Sequence, residues 1–256
     1  MIHPTALIDP NARLGQGVRI EPYAVIGADV DIGDGCQIGH HAVILGPTRL
    51  GRDNRVFPHA CLGGEPQDLG YAGEATRLEI GERNVIREFV TIHRGTPKDR
   101  GVTRLGDDNL LMVHAHIAHD CLVGDHVIMA NAATLAGHVT VGDYVNIAGL
   151  CAIHQFVRIG AHAMLGGGTM VPLDIPPFML ANGNRAKLYG LNVKGLQRRG
   201  FSPEDLRQLK QAYHLLFRSG QRLAEAITAV RAAGLDSPPV AQLLDFVAES
   251  KRGVTR

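Results

Sequence analysis

The sequence predicts a left-handed parallel β-helix of hexapeptide repeats over residues 1–175, followed by a C-terminal α-helical domain over 190–256. Three observations carry this expectation. Aliphatic residues recur at every sixth position from Ile2 to Val171. Two polar stretches interrupt that period. Beyond Pro172 the period of six gives way to helical spacing.

The repeat comes first. Steps of six from Ile2 meet Ile8, Leu14, Ile20, Ile26, Ile32, Ile38, Ile44, Leu50, Val56 and Leu62. The same phase returns at Ile80, Ile86 and Ile92, and again from Leu105 through Ile117, Leu135 and Ile153 to Val171. Neither a helix nor an ordinary sheet has this period; stacked coils of three hexapeptides do. One coil cannot bury its aliphatic edge, but stacking coils buries it in one column. Each buried aliphatic contributes about 1.5–3 kcal/mol gross, most of it offset by backbone ordering. Glycine often follows the aliphatic residue, as at Gly15, Gly33, Gly51, Gly81 and Gly106, and is expected to supply a positive φ at the corner. Four residues after the aliphatic the chain is usually small or apolar. Cys36, Cys121 and Cys151 fall in that phase, which reads as buried packing and not as reactive thiols.

The interruptions are Gly63–Glu79 and His93–Arg104. Polar insertions in a solenoid map to loops on one face, often the binding face. After Pro176-Pro177 a helix is expected from Ser202, an N-cap followed by Pro203 and an acidic Asp205 three residues on. Leu206, Leu209, Tyr213, Leu216 and Phe217 continue it at helical spacing. A second helix is expected over Leu223–Ala233, ended by Gly234. A third follows Pro238-Pro239, with Val240, Leu243, Leu244 and Val247 on one face.

Composition narrows the function classes. A net charge of +1 makes no case for nucleic acid. There is no leader-like segment and no apolar run of eighteen residues, so the expectation is a cytoplasmic protein without a membrane span. Four cysteines in 256 residues do not make a disulfide framework.

A solenoid can be a scaffold, a binder or an enzyme, so function rests on polar residues that break the pattern. Of thirteen histidines, seven are His93, His114, His116, His119, His126, His138 and His154. Residues eighteen apart stack, which puts His119, Gly137 and Gln155 in one column and Asp120 beside His138 in the next. An imidazole backed by a carboxylate and facing a backbone N–H suits acyl transfer, the ring removing a hydroxyl proton and the N–H stabilising the oxyanion. The plainer reading is that histidines stack as polar ladders along the solenoid. A zinc site of His114, His116 and His119 is disfavoured because His114 and His116 lie in different phases from His119, so no metal is expected. No serine precedes Ser202, leaving direct transfer as the economical route.

These residues also match a known family. The stretches Val90–Gly95, Asn109–Met112, Ala115–Cys121, Thr134–Val139, His154–Phe156, Gln67–Leu69, Tyr71–Glu74 and Arg198–Phe201 resemble bacterial UDP-N-acetylglucosamine O-acyltransferases of lipid A synthesis. The resemblance extends to Arg252-Gly253. It implies a homotrimer, without a cofactor, with sites between adjacent β-helices. It also implies transfer of an (R)-3-hydroxyacyl chain from acyl carrier protein to the glucosamine 3-hydroxyl of the UDP-sugar. By resemblance, His119 is the general base with Asp120 beside it, and Gly137 is the oxyanion donor. Gln67, Asp68, His93, His116 and His138 bind the sugar or shape the site, and His154 and Gln155 contact nucleotide sugar or acyl group. Asn192, Arg198 and Arg199 reach the nucleotide or pantetheine, and Gly167 is the acyl-chain ruler, with Met164 and Met170 also able to limit the tunnel.

Three positions depart from the family pattern. Gly70 stands where Lys is usual, Arg185 where His is frequent, and Lys194 where Glu is common. All three are expected near the nucleotide sugar, which leaves open an alternative acceptor, a 3-amino sugar nucleotide. An acidic carrier protein calls for a basic surface, for which Arg94, Lys98, Arg100, Arg104, Arg198 and Arg199 are the candidates.

Overall fold

The computed structural model describes residues 1–256. Short strands of mostly two residues follow one another at the expected period and sort into three parallel sheets, the faces of a triangular prism. The first face runs from Leu7–Ile8 to Met170–Val171, the second from Arg13–Leu14 to Arg158–Ile159, and the third begins at Arg19–Ile20. The chain is therefore a left-handed parallel β-helix, as the repeat predicts. Regular coils pair residues eighteen apart, as in Leu7 with Val25 and His116 with Thr134. Across the insertions the partners move apart in sequence, to Val56 with Ile86 and Ile86 with Leu111, so each insertion leaves the stack intact.

The periodic aliphatics form the core. From Ile20 to Val171 every one is buried, while Ile2, Ile8 and Leu14 at the open end are not. Cys36, Cys121 and Cys151 are buried and free, as expected. The position four after the aliphatic is a buried asparagine in three successive coils, Asn54, Asn84 and Asn109. Asn54 Oδ1 accepts from the Asn84 N–H at 2.9 Å, Asn84 Oδ1 from the Asn109 N–H at 2.9 Å, and Asn109 Oδ1 from the Val127 N–H at 2.6 Å. This ladder knits the coils beside the two insertions.

The corners correct one expectation. The positive φ falls not at the glycine after the aliphatic but two residues later, as at Gly17, Gly35, His41, His59 and Asp120. More than half of its non-glycine occupants are Asp or His, which tolerate this region better than most residues. The earlier glycine answers a different need, close approach of stacked backbones. A Cβ on Gly51 would stand 2.6 Å from the Gly81 carbonyl oxygen, and one on Gly33 would stand 2.7 Å from the Gly51 carbonyl carbon.

The end of the solenoid is also richer than the linker expected between 175 and 190. Met179–Asn182 pairs in parallel with Met164–Leu165, and Lys187–Leu191 pairs antiparallel with Met179–Asn182, so the third face gains two strands. The segment has neither the period of six nor clean alternation, so the sequence pattern hid it. Four helices follow: α1 (Val193–Arg198), α2 (Pro203–Phe217), α3 (Leu223–Ala232) and α4 (Pro238–Ala248). The short α1 has no apolar periodicity to announce it. In α2 the Ser202–Asp205 capping box forms as predicted. The C-terminus then returns to the solenoid, where the Thr255 N–H donates to the Asp174 carbonyl at 2.8 Å and the Asp174 N–H to the Gly253 carbonyl at 3.0 Å. Leu196, Leu209, Leu216 and Val247 share one apolar cluster with Ile175 and Phe178. The helices thus cap the last coil, the covering a solenoid end requires. No helix is long and apolar enough to cross a membrane.

Gly51→Ala is expected to cost roughly 1–3 kcal/mol, the range for forcing a methyl into a filled interior. Gly220→Ala serves as control, since its Cβ meets nothing within 4 Å although its positive φ adds a modest strain. Denaturant midpoints that fall no further for Gly51→Ala than for the control would contradict close approach as the reason for glycine.

Candidate active site

The edge between the first and second faces carries the stacked pair that the sequence singles out. His119 and Asp120 occupy the turn between the strands His116–Ile117 and Leu122–Val123, and Gly137 and His138 occupy the same turn one coil on. A Cβ on Gly137 would stand 2.6 Å from Cε1 and 2.8 Å from Nε2 of His119, so only glycine leaves room for that ring. His119 Nδ1 lies 2.8 Å from Asp120 Oδ2. Since the carboxylate can only accept, Nδ1 carries the proton and the Nε2 lone pair is left free. The Gly137 N–H donates to no acceptor within the chain. Asp120 is fully buried, and its φ of 58° turns its side chain back onto the edge.

The insertions close over this edge. The second, which the strands bound more tightly as 94–101, contributes three contacts in sequence order. The Thr96 N–H donates to both Asp120 oxygens at 2.9 and 3.1 Å, and the Thr96 hydroxyl donates to Oδ2 at 2.7 Å. Lys98 Nζ donates to Asp68 Oδ1 at 2.9 Å, and Asp99 Oδ2 lies 3.2 Å from His138 Nδ1. Sequence reasoning missed Thr96 and Asp99, because a loop threading back over a corner leaves no periodic trace. Arg94 corrects its assignment to an exposed basic surface. It is buried between the insertions, donating to the Gly63 carbonyl at 3.0 Å and the Tyr71 hydroxyl at 2.9 Å. Arg104 pairs with Glu79, and Arg100 lies 3.9 Å from Asp99, so the second insertion is not a free cationic patch.

Further histidines line the same edge and the first face. His93 and His116 meet edge to face at 5.0 Å. His116 Nδ1 is bonded to the Thr91 hydroxyl at 2.7 Å, whereas His93 Nδ1 is buried without a partner. Burial, then the neighbouring His93 and His119, brings the His116 pKa down to about 4. Burial lowers His93 as well, with His119 adding to it. Both are neutral hydrogen-bonding groups near pH 7. The Lys98 ammonium, and after it the Gly70 N–H, holds Asp68 below the usual carboxylate range. His154 and Gln155 are exposed farther along the edge, with His154 Nδ1 accepting from Arg252 Nη2 at 2.8 Å. Gln67 is exposed on the first insertion.

The remaining candidates lie elsewhere on the prism. Asn192, Lys194, Arg198 and Arg199 line a cavity of about 830 Å³ by the second–third edge, with Arg199 4.4 Å over the Tyr144 ring. Asn192 caps α1 through the Gly195 N–H and donates to the His162 carbonyl at 3.0 Å. Gly167 sits on the third edge, where the nearest atom to a Cβ would be the Gly149 carbonyl oxygen at 3.6 Å. Arg185 lines a separate hollow with His154, and Gly70 adjoins Asp68 and Lys98. Within one chain, therefore, Gly70, Arg185 and Lys194 do not converge.

The ladder reading holds for several histidines. His41, His59 and His114 stack with Tyr23 and Phe89 along the third edge, and His126 and His162 flank Tyr144. His114 is thus on another edge from His119. The three groups whose donor atoms do converge, within 4.8 Å, are His119, Asp120 and His138. Asp120 Oδ2 is already engaged by His119 and Thr96, which suits an imidazole oriented for proton transfer more than an open cation seat. Burial pushes the Cys121 thiol up to about 12, which suits packing and not attack.

Over its whole length the chain is similar to known proteins. Residues 174–255 match the family profile described as UDP N-acetylglucosamine O-acyltransferase, domain 2, and residues 11–46 match the bacterial transferase hexapeptide, six repeats. The chain is 52% identical over 259 residues to the acyl-[acyl-carrier-protein]–UDP-N-acetylglucosamine O-acyltransferase of Paraburkholderia phymatum, covering 100% of this chain and 99% of the relative. It is 52% identical over 255 residues to the enzyme of that name from Thiobacillus denitrificans, with the same coverage. Among solved structures it is similar to the UDP-N-acetylglucosamine acyltransferase of Bacteroides fragilis, with a TM-score of 0.98, 41% identity and full coverage of both chains. The UDP-N-acetylglucosamine O-acyltransferase of Moraxella catarrhalis gives a TM-score of 0.96 at 43% identity, covering 100% of this chain and 99% of the other.

His116 carries a measurable pH dependence. Its folded-state pKa of about 4 lies below the ordinary 6.5, so the unfolded chain takes up the proton first as pH falls. Stability is unaffected above pH 6.5 and declines between 6.5 and 4, by about 2 kcal/mol at pH 5. Denaturant titrations of wild type and His116→Asn at pH 7.5 and 5 should show a smaller acid loss in the variant; equal losses would refute the assignment.

Proposed function

The chain belongs to the UDP-N-acetylglucosamine O-acyltransferase family, and we propose that His119 is the general base of its reaction. The enzyme transfers an acyl group from acyl carrier protein to UDP-N-acetylglucosamine, the first step of lipid A biosynthesis. The observation that carries the base assignment is the Asp120–His119 hydrogen bond, which leaves Nε2 free on the face opened by Gly137. In this reading Nε2 takes the proton of the glucosamine 3-hydroxyl as its oxygen attacks the thioester carbonyl of an (R)-3-hydroxyacyl chain. The Gly137 N–H donates to the oxyanion that forms. The C–S bond then breaks, and the imidazolium returns the proton to the departing thiolate. Asp120 keeps the tautomer and stabilises the imidazolium without itself changing protonation.

The other residues fall into supporting roles. The unpartnered, buried Nδ1 of His93 is a ready group for a sugar substituent. His116, His138, Asp68 and Gln67 surround the acceptor, and His154 and Gln155 extend the contact along the edge. Asn192, Arg198 and Arg199 take the nucleotide or pantetheine phosphates in the large cavity, whose size suits such a ligand. Lys194 adds a positive charge there. Open space beside Gly167 accommodates a long acyl tail. The hydroxyl acceptor fits the O-acyl transfer in the relatives' name better than a 3-amino sugar does.

His119, the Arg198–Arg199 cavity and Gly167 lie on three different edges of one prism, so no single chain gathers them. A homotrimer of side-by-side prisms brings edges of neighbouring copies together, and we take it as the working assembly. We take the cytoplasm as its compartment, since its family acts there and no helix is long and apolar enough to cross a membrane.

His119→Ala is expected to lower turnover by roughly 10²–10⁴-fold; near wild-type rates would overturn the base assignment. Sharing of sites has its own signature. His119→Ala and the double variant Arg198→Ala, Arg199→Ala, each inactive alone, should regain about a quarter of wild-type activity when co-assembled one to one in a cyclic trimer. No recovery on mixing would mean that each chain builds its own site.

A further inference from the structure

Lys98 and Gly70 form an arrangement that neither the repeat nor the ion-pair energetics explain. Lys98 Nζ lies 2.9 and 3.1 Å from the two oxygens of Asp68, and the Gly70 N–H donates to Asp68 Oδ1 at 2.6 Å. The Lys98 side chain passes directly over Gly70. A Cβ there would collide with Nζ and stand 2.9 Å from Cε and 3.2 Å from Asp68 Oδ1. The two insertions therefore meet through a glycine-sized gap. The pair is more than half exposed on the lysine side, and such surface ion pairs add little to stability. Its location is what sets it apart. Thr96, two residues earlier, fixes Asp120, and Asp99, the next residue, meets His138.

We propose that Lys98 is a positioning residue for the acyl acceptor, its ammonium reaching through the gap at Gly70 to fix the Asp68 carboxylate at the mouth of the His119 site. This inference rests on the functional reading above. An ionised, doubly anchored Asp68 can only accept hydrogen bonds, so it addresses the hydroxyls of the sugar. A cation beside it also balances the charge of an anionic nucleotide sugar. Position 70 and position 98 are alternative places from which an ammonium can reach the same carboxylate. In this chain the second insertion supplies it, and Gly70 makes way.

The test is steady-state kinetics of Lys98→Ala with acyl carrier protein thioester and UDP-N-acetylglucosamine. KM for the sugar nucleotide should rise about tenfold, the scale of one charge-assisted hydrogen bond, with kcat little changed and the thermal midpoint unmoved. The titratable groups around Asp68 are Lys98, His119 and Glu74. Without the ammonium, Asp68 protonates at higher pH, so the acid limb of kcat/KM should move upward. The double variant Lys98→Ala, Gly70→Lys should recover part of the loss. A Lys98→Ala enzyme with wild-type KM and an unmoved acid limb overturns the assignment. Calorimetric titration with UDP-N-acetylglucosamine separates this failure from that of the functional reading. Wild type that does not turn over ends the reading, whereas equal affinity of wild type and Lys98→Ala ends the role of Lys98.

Discussion

Every coil of this chain must turn three corners, and the geometry of that turn is the constraint on which the rest depends. Each regular corner places one residue at positive φ, three positions after the buried aliphatic. For a residue other than glycine this costs about 1–2 kcal/mol. The chain meets the cost with side chains that then stack on their neighbours one coil away. Tyr23, His41, His59, Phe89 and His114 do so along one edge, with ring centroids about 5 Å apart. Stacked pairs contribute roughly 0.5–1.5 kcal/mol each, comparable to the strain.

The candidate site is a variant of the same corner. Asp120, His138 and Phe156 occupy the positive-φ column, with His138 stacked on Phe156 at 4.4 Å. His119, Gly137 and Gln155 occupy the column before it. What distinguishes this edge from a ladder is the loss of one side chain, at Gly137, and the insertion of one buried carboxylate, at Asp120. The first opens a space against the imidazole; the second fixes its tautomer. A burial cost for the carboxylate is offset by the Thr96 N–H and hydroxyl and the His119 Nδ1–H, while the Thr103 hydroxyl accepts from the Asp120 backbone N–H.

How much of this was legible in the sequence follows from which interactions are periodic. The coils, the core and the His119–Gly137 stack are set by a fixed period, so counting alone reaches them. Counting also finds the glycines after the aliphatics, but it does not distinguish a left-handed turn from the close backbone approach they serve. Thr96 and Asp99 escaped because their partners lie 24 and 39 residues away through a non-periodic loop. Arg94 reads in sequence as a surface cation, since nothing there shows that the two insertions close over it. The strands Met179–Asn182 and Lys187–Leu191 were missed where the period ends and antiparallel pairing takes over.

A prism of stacked coils is convex, and a convex body has no cleft of its own. Concavity can come only from loops laid over an edge or from a second body laid alongside. This chain uses the first device where the two insertions cover His119, and the helical cap adds the hollow at Tyr144 and Arg199. The edge with Gly167 has neither insertion nor helix beside it and exposes Leu150 next to open backbone. An acyl chain lying there would face water along its length, at about 0.8 kcal/mol per exposed methylene. A second prism against that edge removes the exposure. The same contact joins the edge with the proposed His119–Asp120 pair to edges without one, so under the trimeric reading one packing step supplies both the apolar wall for the acyl chain and the missing half of the site.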